Sequence, residues 1–309
     1  MRTVQPGSHR RSLVLPGAAA RGEGFVKLIE KLRHHLPRIR HALGKPLVLR
    51  SGEYRLRGYH PDRLARAIDD EPHMIPVLER VFKEHPGAIL DVGANCGQTL
   101  LKVLAVDPRR VYFGFEPQVE CCFFIENFLR ANALRNANII PVALSDTDGM
   151  IKLFWDRPTD LTASLLPTHA DSPTEQRPHS SWVPARRGDE LVRELGVADI
   201  AAIKIDVEGF ELEVLTGLKE TLRERKPVIL FEVLTNYFWH ELLRDEPTRQ
   251  LKQARADAIF SLLSSLDYRI YRIDGAGAEH RIDRFELDQA PDFPFVNDGR
   301  DYLARCGSS

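Results

Sequence analysis

The feature that most narrows what this chain can fold into is a repeated rhythm of short apolar runs, each closing on an acid or a polar turn, with helical spacing between them. AILDVGANCG at 88–97 opens the series, and VYFGFEP (111–117), NIIPVALSD (138–146), AAIKIDVEG (201–209) and PVILFE (227–232) continue it. Runs with little polar alternation read as strands buried on both faces, and helices between them force parallel crossovers. The expected class is therefore α/β, a doubly wound and mostly parallel sheet with ligands beyond the carboxyl ends of its strands. Asp91, Glu116, Asp146, Asp206 and Glu232 all fall on that edge.

The first of these corners reads as a cofactor site. Gly93 and Gly97 let backbone amides approach a ligand, and Gln98 to Val106 has the apolar spacing of the helix that a glycine turn would cap. The G-x-x-x-G spacing is one glycine short of the dinucleotide fingerprint, so a nicotinamide cofactor is left open but not favoured. Glu116 follows Gly97 by about 20 residues, the separation at which an acid on the second strand accepts hydrogen bonds from ribose hydroxyls.

Composition bounds the rest. With 309 residues, 43% of them hydrophobic, the chain can bury one large core. A formal charge of -1 gives no basic footprint, so small molecules rather than nucleic acid are the expected partners. The four cysteines Cys96, Cys121, Cys122 and Cys306 form no C-x-x-C pair, which fits a reducing cytoplasm. No apolar run approaches the roughly 18 residues of a membrane span.

In chain order, residues 1–22 read as a disordered leader. Residues 23–87 form an extension containing a helix from Gly24 to Leu43, a hairpin from Pro46 and a helix through Met74, Val77, Leu78 and Phe82. Residues 88–309 form the main domain. GMIKLFWD breaks the rhythm as an antiparallel strand, and Arg157 to Ser181 is a long loop of the kind that often serves as a lid. Thr162, Ser164, His169, His179 and Trp182 lie in or beside it, each with an ordinary surface role as the simpler reading. A helix through Ile259 and Leu263, a strand DYRIYRID and a last strand RDYLARC complete the chain.

The segments DVGANCGQT, GFEP, ALSD, IKIDVEGFELEVL and ILFE together resemble the FkbM-type methyltransferases, a group of class I S-adenosylmethionine-dependent enzymes. KIDVEGFE at 204–211 is the most specific piece, and DYLA at 301–304 resembles the family's closing strand. The resemblance implies a Rossmann-like, seven-stranded sheet with an antiparallel last strand inserted beside the fifth. It also implies methyl transfer from S-adenosylmethionine to a hydroxyl oxygen. Carried to matching positions, Asp91, Gly93, Ala94, Asn95 and Gly97 would wrap the methionyl part of the cofactor. Glu116, with Pro117 beside it, would hold the ribose, and Asp146 would approach the adenine edge. An acid-rich edge suits a cationic sulfonium and would repel the pyrophosphate of NAD.

For the reaction, an in-line displacement asks the protein chiefly to position the acceptor oxygen, with help in removing its proton. Asp206 is the first candidate to orient the acceptor or take that proton, Glu208 the second and Glu232 the third. Against this, Lys204 in a buried strand needs an acid partner, and these acids are the nearest in sequence. The same trio has the oxygen chemistry of a divalent-cation site, but no metal is expected. His240 in NYFWHELL is a rival base whose aromatic neighbours suit packing better, and Cys96 reads as a small filler residue. The function expected is O-methylation of a small natural product or sugar, with oligomeric state left open. The alternative is a non-catalytic or NAD-binding Rossmann-type protein. A nucleic-acid methyltransferase is disfavoured, because KIDVEG stands where an Asn-Pro-Pro-Tyr type motif would follow the fourth strand.

Overall fold

The computed structural model describes residues 47–51, 54–58, 71–155, 163–165, 179–233, 246–285 and 301–307. The chain divides into two units, Met1–Lys45 and Pro46–Ser309, and everything below belongs to the second. The expected leader, the helix at 24–43, His240 and most of the long loop lie outside the described residues.

Strands β1 (Leu47–Ser51) and β2 (Tyr54–Gly58) pair antiparallel as the expected hairpin. Helix α1 (Met74–Glu84) then leads into β3 (Ala88–Val92), α2 (Gln98–Val106), β4 (Tyr112–Phe115), α3 (Val119–Ala131) and β5 (Ala137–Ile140). The chain next forms β6 (Ala143–Ser145), β7 (Gly149–Trp155), β8 (His179–Arg187) and α4 (Gly188–Glu194). The parallel rhythm resumes with β9 (Ile200–Ile205), α5 (Glu211–Gly217), α6 (Lys219–Arg225) and β10 (Val228–Glu232). Helix α7 (Glu246–Ser265) and strands β11 (Tyr268–Ile273), β12 (Glu279–Arg281) and β13 (Asp301–Cys306) follow.

The main sheet runs β12-β11-β13-β10-β9-β3-β4-β5. Strands β5, β4, β3, β9 and β10 are parallel, and β13 enters antiparallel between β10 and β11. This is the class I methyltransferase arrangement. The short edge strand β12 makes eight strands of the expected seven.

Both faces of the sheet are covered, which explains why β3 and β9 are buried along their whole length. Alternate residues serve opposite faces. Leu90, Ile203, Ile205, Ile229 and Phe231 join Leu191, Val214, Leu215, Leu222, Ile259 and Leu263 from α4 to α7 in one core layer. Ile89, Ala202, Val228 and Leu230 join Val77, Leu78, Leu100, Val103, Ile125 and Phe128 from α1 to α3 in the other.

One expected strand is divided. NIIPVA does not run through: β5 stops at Ile140, and the chain turns so that Ala143 begins β6 in a separate three-stranded sheet, β6-β8-β7. The turn is made at Pro141, where the Val142 N–H donates back to the Ile140 carbonyl at 2.9 Å and takes the chain out of β5, the edge strand of the main sheet. After β9 the chain forms two short helices, α5 and α6, joined at Leu218.

Candidate functional site

The chain segments leaving β3, β4, β9 and β10 gather at one edge of the sheet, where they line a cavity of about 330 Å³. That volume lies within the range of small-molecule sites. The strands' hydrogen bonding continues just past their ends. Gly93 N–H donates to the Phe115 carbonyl at 2.9 Å, Asp206 N–H to Val92 at 2.9 Å and Glu116 N–H to Ile140 at 3.1 Å. The cavity rim is thus fixed to the sheet.

Gly93, at φ 86°, is required by packing as well as by conformation. A Cβ there would stand 1.8 Å from the Asp206 carbonyl oxygen, so the first and fourth strand ends approach more closely than any side chain permits. Gly97, at φ 89°, forms the N-cap of α2, where a Cβ would meet only ordinary contacts; its left-handed backbone is the reason for glycine. Between them Asn95 is also left-handed, at φ 45°, and its Oδ1 accepts the Cys96 N–H at 2.8 Å. Such strained residues gather where a ligand is gripped.

Glu116 is buried and held from two sides. Its Oε2 accepts the Asn95 N–H at 2.8 Å and its Oε1 accepts the Gln118 N–H at 2.7 Å. Each oxygen keeps a further lone pair for a ligand hydroxyl. Burial pushes the carboxyl up to about 7, opposed by those two amides. Asp91 lies beneath the cavity rather than on its wall: it is fully buried, and the Tyr112 hydroxyl donates to its Oδ2. Its Oδ1 has no hydrogen-bond partner among the described residues. Burial raises this carboxyl to about 6, with the paired Lys204 opposing the rise.

From β9, Lys204 Nζ donates to Asp206 Oδ2 at 2.8 Å. Burial disfavours the ammonium, but Asp206, Glu71 and Asp91 together outweigh that and keep it charged. The buried lysine therefore does take the acid partner that its sequence position demands. The loop beyond is pinned from three directions. The Ser164 hydroxyl donates to the Glu208 carbonyl at 3.0 Å and Arg255 to the Gly209 carbonyl at 2.9 Å, while Glu211 accepts the Gly209 N–H at 3.0 Å. These contacts hold Glu208 left-handed at φ 54°.

Of the residues singled out in the sequence, Gly93, Ala94, Asn95, Glu116, Pro117, Asp206, Glu208 and Glu232 line the cavity together. Asp91, Gly97 and Asp146 do not. Asp146 follows β6 in the smaller sheet and accepts the Ser145 hydroxyl at 3.2 Å. Cys96 lies with its Sγ 3.7 Å from that of Cys121. His179 is exposed and stacks on Trp155, and Trp182 is also exposed. Among the described residues no group of three His, Cys, Asp or Glu side chains is placed to hold a metal ion, and no helix is long and apolar enough to cross a membrane.

Sequence reasoning missed a set of lining residues outside the strand ends: Glu71 before α1, and Gln98, Thr99 and Lys102 on α2. Lys102 donates to Glu71 at 2.8 Å. The available signal was a lysine in a helix whose other faces are apolar, one turn after Gln98. Leu144, Leu153 and Leu165 add an apolar wall from the inserted sheet and the segment at 163–165.

Comparison with known proteins gives the family. The model of the Methyltransferase FkbM domain matches residues 91–270, more than half of the chain. The 2-O-methyltransferase NoeI of Sinorhizobium fredii is 28% identical over 152 residues, covering 45% of this chain and 60% of that protein. The AMB antimetabolite synthetase AmbE of Pseudomonas aeruginosa is 28% identical over 209 residues, covering 57% of this chain and 9% of that protein. Among solved structures, Methyltransferase FkbM from Methylobacillus flagellatus aligns at 16% identity with a TM-score of 0.39, over 71% of this chain and 43% of that one. The chain thus spans less than two thirds of each of these proteins.

Proposed function

We propose, for a chain that belongs to the FkbM methyltransferase family, that it methylates a hydroxyl oxygen of a small molecule such as a sugar or natural product. It is an S-adenosylmethionine-dependent methyltransferase of class I fold. The observation that carries the finer reading is the cavity, where Glu116, braced by two backbone amides, shares one wall system with the carboxylates leaving β9 and β10.

The residues present fit the methyl donor. Gly93 leaves the backbone bare at the close approach of β3 and β9, Glu116 retains acceptor capacity for ribose hydroxyls, and Val142 with Leu144 supplies apolar surface for a base. Among the described residues, the two lysines that line the cavity are each paired with an acid. When bound, S-adenosylmethionine supplies a methyl carbon that forms a C–O bond as its S–C bond breaks, sulfur keeping the electron pair. The protein's part is to hold the acceptor oxygen in line and to receive its proton. Asp206 keeps one oxygen on Lys204, which suits it to orienting the acceptor hydroxyl with the other. Glu208, fixed by its strained backbone, and Glu232 at the end of β10 are the further carboxylates within the same cavity.

NoeI, a 2-O-methyltransferase by name, supports oxygen as the acceptor atom. The test is incubation with methyl-labelled S-adenosylmethionine and a panel of neutral polyols, phenols and amines, with mass spectrometry of the product. Label on a hydroxyl, lost in Asp206→Asn while S-adenosylhomocysteine still binds, is the expected outcome. Label confined to nitrogen or carbon, or wild-type turnover in Asp206→Asn, contradicts it.

A further inference from the structure

The methyl donor's nucleoside and its amino-acid arm make different chemical demands, and the cavity meets them with different residues. Sheet order places Glu116 beyond β4, the apolar Val142 and Leu144 beyond β5, and Lys204 on β9 with β3 between. With ribose at Glu116 and the base on the apolar side, the amino-acid arm runs the other way, over the end of β3 toward β9. There the wall contains Glu71 and, from α2, Gln98 and Lys102.

We propose that the Glu71–Lys102 ion pair, with Gln98 beside it, recognises the zwitterionic amino-acid end of the methyl donor, Lys102 taking the α-carboxylate and Glu71 the α-ammonium. This rests on the reading of the cavity as the donor site. Lys102 is only 2% exposed, yet its Nζ reaches Glu71 at 2.8 Å within the cavity wall. A buried ion pair costs desolvation that an apolar pair of similar size would avoid, so its stabilising value alone does not explain it. A zwitterion resolves this. Entering between the two, it exchanges one ion pair for two, and each protein charge keeps a partner of opposite sign.

Two further observations point the same way. Gln98 lies one turn before Lys102 on the same helix face, lines the cavity, and has a buried Oε1 with no hydrogen-bond partner among the described residues. An ammonium group supplies the missing donor. Glu71 is held ionised, since burial raises its carboxyl but Lys204 and Lys102 outweigh that and bring it down to about 2. It is an anion throughout the working range, as an ammonium requires.

Calorimetry with two ligands separates this role from a structural one. S-adenosylhomocysteine carries the amino-acid arm, and 5′-methylthioadenosine has the same nucleoside without it. In Lys102→Met and in Glu71→Gln, affinity for S-adenosylhomocysteine should fall at least ~tenfold, about 1.4 kcal/mol, with affinity for 5′-methylthioadenosine within ~twofold of the wild type. Equal losses for both ligands in the two variants, or no loss for either, overturns the assignment. A wild-type protein that binds neither ligand overturns the donor-site reading itself, and this assignment with it.

Discussion

Glu116 is the residue on which the site's response to acid turns. In the ligand-free protein burial holds its carboxyl near 7, opposed by the Gln118 and Asn95 amides. A ligand that donates hydroxyls to it favours the carboxylate and so expels the proton. Affinity for S-adenosylhomocysteine should therefore rise with pH through about 7 and then level off, and calorimetry near pH 7 in buffers of different ionisation enthalpy should detect proton release. Glu116→Ala should flatten that dependence and weaken binding by about 1.5–3 kcal/mol, because the ligand's hydroxyls lose their acceptor. Unchanged affinity would remove Glu116 from the ribose contact. At this scale the sequence is informative where a residue's neighbours along the chain decide its place. Asp206, Glu208 and Glu232 follow directly from strand ends. Glu71 was hidden because its partners Lys102 and Lys204 reach it only through tertiary packing, and no local pattern marks an acid in the turn before α1.

At the scale of elements, the inserted sheet is what the sequence disclosed least. Strands β7 and β8 are largely exposed, and β6 is only Ala143–Ser145, too short to carry a period of its own. Its attachment depends on one glycine. A Cβ at Gly217, the last residue of α5, would stand 1.9 Å from the Ser145 carbonyl oxygen. Gly217→Ala must push α5 away from β6, and overpacking of this kind costs about 1–3 kcal/mol. Denaturant unfolding should show that loss, and S-adenosylhomocysteine binding should weaken with it, since Leu144 in the displaced strand lines the cavity. A variant as stable as the wild type would mean that the helix and strand can separate freely. By contrast α2 runs from Gln98 to Val106 as expected, because a glycine turn marks its start and its residues are largely apolar.

Across the whole molecule, β13 closes the sheet from the far end of the chain, and His73 at the start of α1 meets it. His73 Nε2 lies 2.8 Å from Asp301 Oδ2 with both side chains largely buried. Burial disfavours the imidazolium, but the hydrogen bond to Asp301 and the charges of Asp301 and Glu71 outweigh it and raise the imidazole above its ordinary 6.5. A raised folded value means that the contribution is complete below the unfolded pKa and is lost as pH rises through the folded one. The elevated carboxyls of Asp91, Glu116 and Glu211 act in the same direction, since the folded state keeps protons that the unfolded chain has released. Stability should therefore fall from pH 6 to pH 8, and His73→Gln should lose less across that interval than the wild type. Parallel slopes for the two in denaturant titrations would show that His73 takes no part. That the sheet is doubly wound and mostly parallel was visible from the strand rhythm, whereas the separate sheet behind Pro141 was not, because a proline inside an apolar run marks a departure without saying where the chain goes. The contact between Gly93 and the main chain of Asp206 has a further consequence, for genetics. The atom that excludes a side chain at 93 is a carbonyl oxygen, which every amino acid at 206 would carry alike. A Gly93→Ala lesion should accordingly yield no intragenic suppressor by replacement of residue 206, and revertants recovered by selection should restore the glycine itself.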